Sequence, residues 1–475
     1  MSAGTHRVVI LGAGPAGVGA AYRLRQDARA EVTVLEQHDV PGGNAGSFEF
    51  GGMRVDFGSH RLHPACDPEI LSDIRGFLGD DLRDRPRHGR IGLRGRWIHF
   101  PLKPIDLLVR LDPGFALGTL RDMVSKPFRA APSGDSFGDV LMANLGPTIC
   151  ESFYFPYARK IWGREPTALS GIQARRRVSA GSFLKLVRKV LSAVPGLKPP
   201  GAGRFFYPAK GFGQISEAYA SAATTLGADL RYGRRVTRLI PPATDNDPWV
   251  IEMTSDRGAE RIEADQLWST IPIALIARLI GTGVPDAVHE AAAKLESRAM
   301  LLIYLSLPVP SFTEYDAHYF PGANIRITRL SEPKNYPGLG QPPEHTVLCA
   351  ELPCGPGDPW WTMDDAALGA LVAEDLATAG VPLPVAPTAV LVRRLPQAYP
   401  VYTTGYERWF GILDQWVESL PRLLSYGRQG LFAHDNTHHA LAMAYAASDC
   451  LESDGFDHAR WSAHRVVFDT HVVED

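Results

Sequence analysis

Two hydrophobic periods alternate along the chain, and its first forty residues show both. Residues 7–11 form a short apolar run with β-branched members, the pattern of a parallel strand buried on both faces. Val18, Ala21 and Leu24 then recur at helical spacing, and residues 32–35 make a second apolar run. Later strands are predicted at residues 249–253, 267–270, 300–307, 317–330 and 346–352. Residues 90–100 read as a hairpin turning at Arg94-Gly95, and residues 229–240 as two strands joined at Tyr232-Gly233. Between about 105 and 194 the period becomes helical, interrupted by Pro and Gly. Residues 182–194 there read as an amphipathic helix with Lys185, Arg188 and Lys189 on a basic face, which suits an ordinary solvated surface first and a membrane surface as the alternative. Helices are also predicted at 364–380, with capping groups at its start, and at the small-residue run 440–451.

The first strand–helix–strand unit carries chemistry. Between strand and helix stands Gly12-Ala13-Gly14-Pro15-Ala16-Gly17. In this pattern the first glycine makes a tight turn, the second admits a pyrophosphate, and the third lets helix and strand pack closely. The helix N-terminus faces the phosphates, and Glu36, ending the second strand, stands where an acid takes the ribose hydroxyls. A bound dinucleotide follows. A second Gly-rich turn, Pro41-Gly42-Gly43-Asn44, comes directly after Glu36 and suits a longer flavin dinucleotide better than a nicotinamide one.

Composition narrows the rest. The chain has 475 residues, 45% hydrophobic and 21% charged, with net charge −3. That length favours two intertwined domains, and that charge excludes the basic stripe of a nucleic-acid binder. No apolar run is long enough to span a bilayer, and the chain enters its first strand too early for a signal peptide. Five scattered cysteines give neither a disulfide framework nor a zinc site, so reduced thiols and a cytoplasmic location are expected. His60 and His63 have ligand-like spacing, but no further ligand follows them, and no metal is expected.

Several segments taken in order resemble the glutathione-reductase-type flavoproteins, specifically the UDP-galactopyranose mutase branch beside the amine oxidases and protoporphyrinogen oxidases. They are GAGPAG, PGG, DFGSH, GRWIHFPL, FPYARKIWG, ARRRV, YFPGANIRIT, QAYPVY, GRQG and DNTHH. The resemblance implies FAD, and an α/β fold with a Rossmann-like FAD-binding domain, an inserted helical domain and a mixed or antiparallel sheet domain. Boundaries are expected at 1–103 (cofactor part and hairpin), 104–200 (helical), 201–290 (cofactor part resumed), 291–400 (sheet) and 401–475 (cofactor part again). Flavin contacts are expected from Gly12, Gly14, Ala16, Gly17, Glu36, Gly42, Gly43, Asn44, His60, Val236, Arg428, Asn436 and Thr437.

For catalysis the resemblance implies Arg177 and Arg326 on a substrate diphosphate, Tyr399 hydrogen-bonded to it, and His60 beside the flavin ring. Planar bidentate cations suit a departing diphosphate. The chain departs from the mutases at His434, where they have tyrosine, at His438-His439, where they have Asp before His, and at Ala317, where some carry an aromatic over the uracil. Losing that platform removes roughly 1–3 kcal/mol of base affinity. His434 and His438 are alternative proton donors, since imidazole titrates near neutrality. Two reactions therefore stand: isomerisation of a sugar, nucleotide-linked, through reduced flavin with NAD(P)H as a possible reductant, or an amine-oxidase-like removal of hydride from a C–N, C–O or C–C bond of a small molecule.

Overall fold

The structure, a computed structural model, describes residues 6–101, 110, 112–126, 134–177, 203–338 and 342–473. Its organising sheet is parallel and five-stranded, in the order Leu423–Ser425, Gln266–Ser269, His6–Leu11, Ala30–Leu35, Asp229–Arg231. Successive residues of the first strand point to opposite faces, and both faces are buried. Val8 and Ile10 join the core under helices Pro15–Gln26, Gln214–Thr225 and Thr437–Asp449. Val9 and Leu11 join the core under the three-stranded sheet and helices Ile273–Ile280 and Tyr406–Ser419. This is why the strand reads as continuously apolar.

The second sheet has seven strands, in the order Ala389–Val401, Glu296–Leu307, Thr346–Cys354, Arg329–Ser331, Ala317–Tyr319, Gly89–Leu93, Arg96–Phe100. It is mixed, because Ala317–Tyr319 pairs in parallel with Gly89–Ile91 while the other ladders are antiparallel. That pairing moves the hairpin, expected with the cofactor part, onto the edge of this sheet. Its outer face, with Leu301, Ile303 and Leu305, is covered by helix Asp365–Thr378, whose N-cap Asp364 accepts from the Ala367 amide at 2.7 Å. Its inner face, with Met300, Leu302 and Tyr304, meets Met53, Val55 and Phe57 of the cofactor part.

Other expectations shift in detail. The segment 229–240 is not a hairpin: Asp229–Arg231 completes the parallel sheet, and Arg235–Ile240 opens the three-stranded antiparallel one. The predicted strand at 317–330 is two short strands joined by a loop, because Lys160 reaches into that loop and binds the carbonyls of Phe320, Gly322 and Ile327. Residues 389–401 form one strand. Helix Tyr406–Ser419 was not anticipated, although Tyr406, Phe410, Leu413 and Val417 keep the 3.6-residue period. The inserted part contains helices Phe137–Leu145, Phe155–Trp162 and Gly171–Arg177 around a small core with Val401. The helix expected at 182–194 lies outside the described residues.

Candidate active site

The phosphate loop is made of backbone. Gly12 has φ +98°, and its amide donates to the Leu35 carbonyl at 2.8 Å, clamping the turn across the two strands. A Cβ on Gly17 would stand 1.9 Å from the Gly12 oxygen, so only glycine lets this helix approach its strand. Gly14 is different: a Cβ there meets nothing within 4 Å. Gly14 is also the N-cap of helix Pro15–Gln26 and brings no capping side chain. The helix thus offers first-turn amides and its positive end to open space, which is the form of a phosphate cradle.

Glu36 and the second Gly turn brace this loop. The Glu36 carboxylate, 6% exposed, accepts from the Ala13 amide at 2.8 Å and the His38 amide at 2.9 Å. Gly42 donates to the Ala13 carbonyl at 2.8 Å, and Asn44 is exposed beside it. Val236 lies two residues beyond Arg234, whose amide donates to the Glu36 carbonyl at 2.7 Å. Across the cleft Gly427 packs on Ala16, 2.8 Å from a Cβ to that methyl. Arg428 then donates to the Ala398 carbonyl at 2.9 Å and lies 5.2 Å from the Tyr399 ring centroid. Asn436 caps helix Thr437–Asp449 in a reciprocal box with His439, and Thr437 is its first residue. Glycines, acid and arginine converge on one crevice at the carboxyl ends of the parallel strands, where such sheets hold ligands. A cleft of about 520 Å³ lined by His6, Asp265 and Arg422 opens at the other end of the strands. It lies away from this chemistry.

His60 sits where the crevice meets the large sheet. Its ring stacks on Phe212 at 5.3 Å, and burial, with Arg329 and Arg428 nearby, pushes its pKa down to about 3. The imidazole is therefore neutral at physiological pH and is not a ready proton donor. The loop that carries it is fixed by Glu351 of the inner sheet face. Glu351 accepts from the Ser59 amide at 2.9 Å and from Arg329 at 2.7 and 2.9 Å. Next to it Arg61 reaches Asp316 at 3.2 Å and lies 5.0 Å from the Tyr336 ring centroid. Burial alone would lower the Arg329 pKa, but Glu351, Tyr319 and Tyr399 outweigh it, and the value is raised well above the usual range. Beneath the loop Asp56 accepts from Ser47 at 2.6 Å, Tyr207 at 2.6 Å and the Phe212 amide at 2.8 Å.

The expected catalytic residues are not all brought together. Tyr399 and His60 border the crevice. Arg326 does not: its guanidinium reaches Asp375 at 2.9 Å and Glu374 on helix Asp365–Thr378, against the outer face of the sheet. The Arg326 and Ile327 amides also donate to Asp375, which fixes that direction. His434 is 1% exposed and wedged edge-on between Trp162 and Tyr402, at 5.0 and 4.6 Å. That packing closes it off from a substrate. Arg177 ends helix Gly171–Arg177, and its side chain lies outside the described residues. Arg61, Arg329, Asp316 and Glu351 were not anticipated. Alternation placing Arg329 opposite Leu330 was the one available signal.

Comparison with known proteins gives a family, two sequence relatives and a solved structure. The family described as flavin containing amine oxidoreductase matches residues 15–442. A phytoene dehydrogenase of Streptomyces griseus is 28% identical over 270 residues, covering 49% of this chain and 48% of that protein. A coproporphyrinogen III oxidase of Staphylococcus aureus is 24% identical over 468 residues, covering 88% and 93%. Among solved structures, a reduced UDP-galactopyranose mutase superposes with TM-score 0.81 at 21% identity, covering 99% of this chain and 100% of that one. The last likeness establishes the fold. Both sequence relatives are named as redox enzymes, and neither as a mutase.

Proposed function

The chain belongs to the flavin-containing amine oxidoreductase family, with FAD as its cofactor, and from that membership we infer that it is an oxidoreductase removing hydride from a C–N, C–O or C–C bond of a small molecule. When bound, FAD supplies a two-electron acceptor at its ring. The open amides after Gly14 suit its pyrophosphate, and Glu36 suits its ribose. The Glu351–Ser59 bond fixes the loop of His60 at the crevice, and His60, Arg428 and Tyr399 are the residues that would hold the flavin there.

The observation that carries this reading is the direction of Arg326. A mutase acting on a nucleotide sugar needs cations for the departing diphosphate. Among the described residues, Arg326 is bound to Asp375 and Glu374 on the outer face, and Arg61 and Arg329 are already paired with Asp316 and Glu351; the Arg177 side chain lies outside them. A substrate leaving no diphosphate needs none of them.

The test uses the FAD-loaded protein under anaerobic conditions, mixed in turn with phytoene, coproporphyrinogen III, a polyamine and UDP-galactopyranose. Bleaching of the oxidised flavin by one of the first three, with recovery in air, is the expected result. Isomerisation of the nucleotide sugar only after dithionite reduction, with no bleaching by any substrate, would replace the oxidoreductase with a mutase.

A further inference from the structure

Three side chains from separate stretches meet at the start of helix Thr437–Asp449. Asp435 lies on the loop leading in, His439 in the first turn, and His471 on the tail after helix His458–Phe468. The Asp435 side chain is 2% exposed, and those of His439 and His471 are 13% and 14%. His471 Nδ1 stands 2.8 Å from one Asp435 oxygen and His439 Nδ1 4.0 Å from the other. One ligand atom from each residue lies within 4.8 Å of the other two. The two imidazoles are stacked at 4.2 Å with 14° between their planes.

A hydrogen bond explains His471 beside Asp435. His439, held in the helix cap with its Nδ1 4.0 Å from the same carboxylate, adds a second imidazole to it. Two imidazoles and one carboxylate are the donor set that divalent transition ions take, with open positions left for water. We propose that Asp435, His439 and His471 bind one divalent transition ion of the zinc class. Ligand atoms on a tetrahedral zinc lie about 3.3 Å apart at Zn–N distances of about 2.0–2.1 Å. Closing the site therefore requires the ligand atoms to draw in from separations of up to 4.8 Å and the two stacked rings to turn out of parallel, so that both Nδ1 lone pairs meet at the ion. The ion competes with the Asn436 amide for His439 Nδ1, a bond that is long at 3.3 Å.

The ion acts as a clamp. His471 is 36 residues from Asp435 along the chain, so the site ties the C-terminal tail to the loop after Arg428. Beyond the His471–Asp435 contact, the tail is held by Asp469 on Arg176 at 2.8 Å and by the Val473 amide on the Arg176 carbonyl at 3.0 Å. The ion replaces the single His471–Asp435 contact with a three-residue one, on the loop whose Ala433 amide donates to the Arg428 carbonyl at 2.8 Å.

The test strips the full-length, FAD-loaded protein with EDTA and titrates it with cobalt(II), then zinc(II). Expected are one ion per chain, visible d–d absorption from cobalt that zinc abolishes, and a rise in Tm that EDTA reverses. His471→Ala, on the tail and outside the core, weakens binding by about 100-fold or more, since a lost ligand costs at least what a lost outer-sphere partner does. His289→Ala, an exposed residue on a distant helix, leaves it unchanged. X-ray absorption of the zinc-loaded wild type, which needs no variant, shows two imidazoles and a carboxylate oxygen. Binding weaker than about 10 µM (−6.8 kcal/mol by the standard conversion), binding unchanged in His471→Ala, or an absorption spectrum with fewer than two imidazoles each overturns the site.

Discussion

The cofactor cradle and the inner face of the large sheet meet at the loop of His60, yet they are made of different materials. The cradle is backbone: Gly12, Gly14 and Gly17 shape it, and amide-to-carbonyl and amide-to-carboxylate bonds hold it. The sheet face is side chain: Arg329 pairs with Glu351 and Arg61 with Asp316, all largely buried. A backbone cradle fails when a methyl intrudes. A buried charge network fails when one member is removed and its partner stays. The two regions therefore predict different kinds of damage.

The largest effect is expected in the cradle. Gly17→Val places Cβ within 1.9 Å of the Gly12 oxygen, and the overlap falls on backbone that cannot swing away. A cost on the order of 3 kcal/mol or more follows from overpacking of this kind, together with loss of the phosphate site. The variant should purify without flavin absorbance and melt below the wild type. A yellow protein with unchanged Tm would break the backbone account.

On the sheet face, Arg329→Met should cost about 3–5 kcal/mol, because Glu351 is left buried without its cation. Denaturant midpoints measure this. A double variant that also replaces Glu351 with Gln should recover part of the loss, since the stranded charge is then gone. If the single variant loses less than about 1 kcal/mol, as an exposed pair would, the network does not fix the His60 loop.

The same contrast decides what could be read in advance. The cradle lies within residues 7–43, and each of its requirements falls on a glycine or an acid at fixed spacing. The sheet network joins Ser59 to Glu351 across 292 residues and Arg61 to Asp316 across 255. No periodicity reports such a pairing. Arg326 and Arg329 show the difficulty most directly. Three residues apart in a loop–strand junction, they end on opposite faces of one sheet, one with Asp375 and one with Glu351. The choice was made by Asp375 taking the Arg326 and Ile327 amides, a contact with a helix 48 residues on. The hairpin at 89–100 was legible as a hairpin, but its sheet was set by parallel pairing with residues 317–319.

Asp56 lies under the junction of the two regions and gives a prediction in pH. Burial raises its pKa from the ordinary 3.8 to about 6, against the bonds from Ser47, Tyr207 and Phe212 that favour the charge. The folded state thus holds this proton more tightly than the unfolded state does. Its contribution is fully present below about pH 3.8 and is lost as pH rises through about 6. The loss is on the order of 1–3 kcal/mol at 1.36 kcal/mol per unit. Asp56→Asn keeps the shape and cannot ionise, so its stability should fall less over that interval than the wild type's. Unfolding free energies at pH 4, 5, 6 and 7 for both proteins measure the difference, and parallel curves would place the proton elsewhere.

The smallest effect bears most directly on the reaction. Arg326→Met removes a guanidinium that is one-third exposed, from a pair whose buried partner keeps two backbone donors. Asp375 therefore stays satisfied, and the cost should be at most about 1 kcal/mol, as for other exposed pairs. Because the guanidinium is bound on the outer face, kcat and KM for the bleaching substrate should stay within about twofold of wild type, which is under 0.5 kcal/mol of transition-state binding. Loss of kcat/KM by about 100-fold, seen with a nucleotide sugar and not with a diphosphate-free substrate, would mean that the loop turns inward to meet its ligand. Arg326 would then be the diphosphate anchor, and the inner and outer faces of the sheet would exchange roles on binding. Arg329→Met supplies the control, since it strikes the inner face in either case and should impair turnover of every substrate.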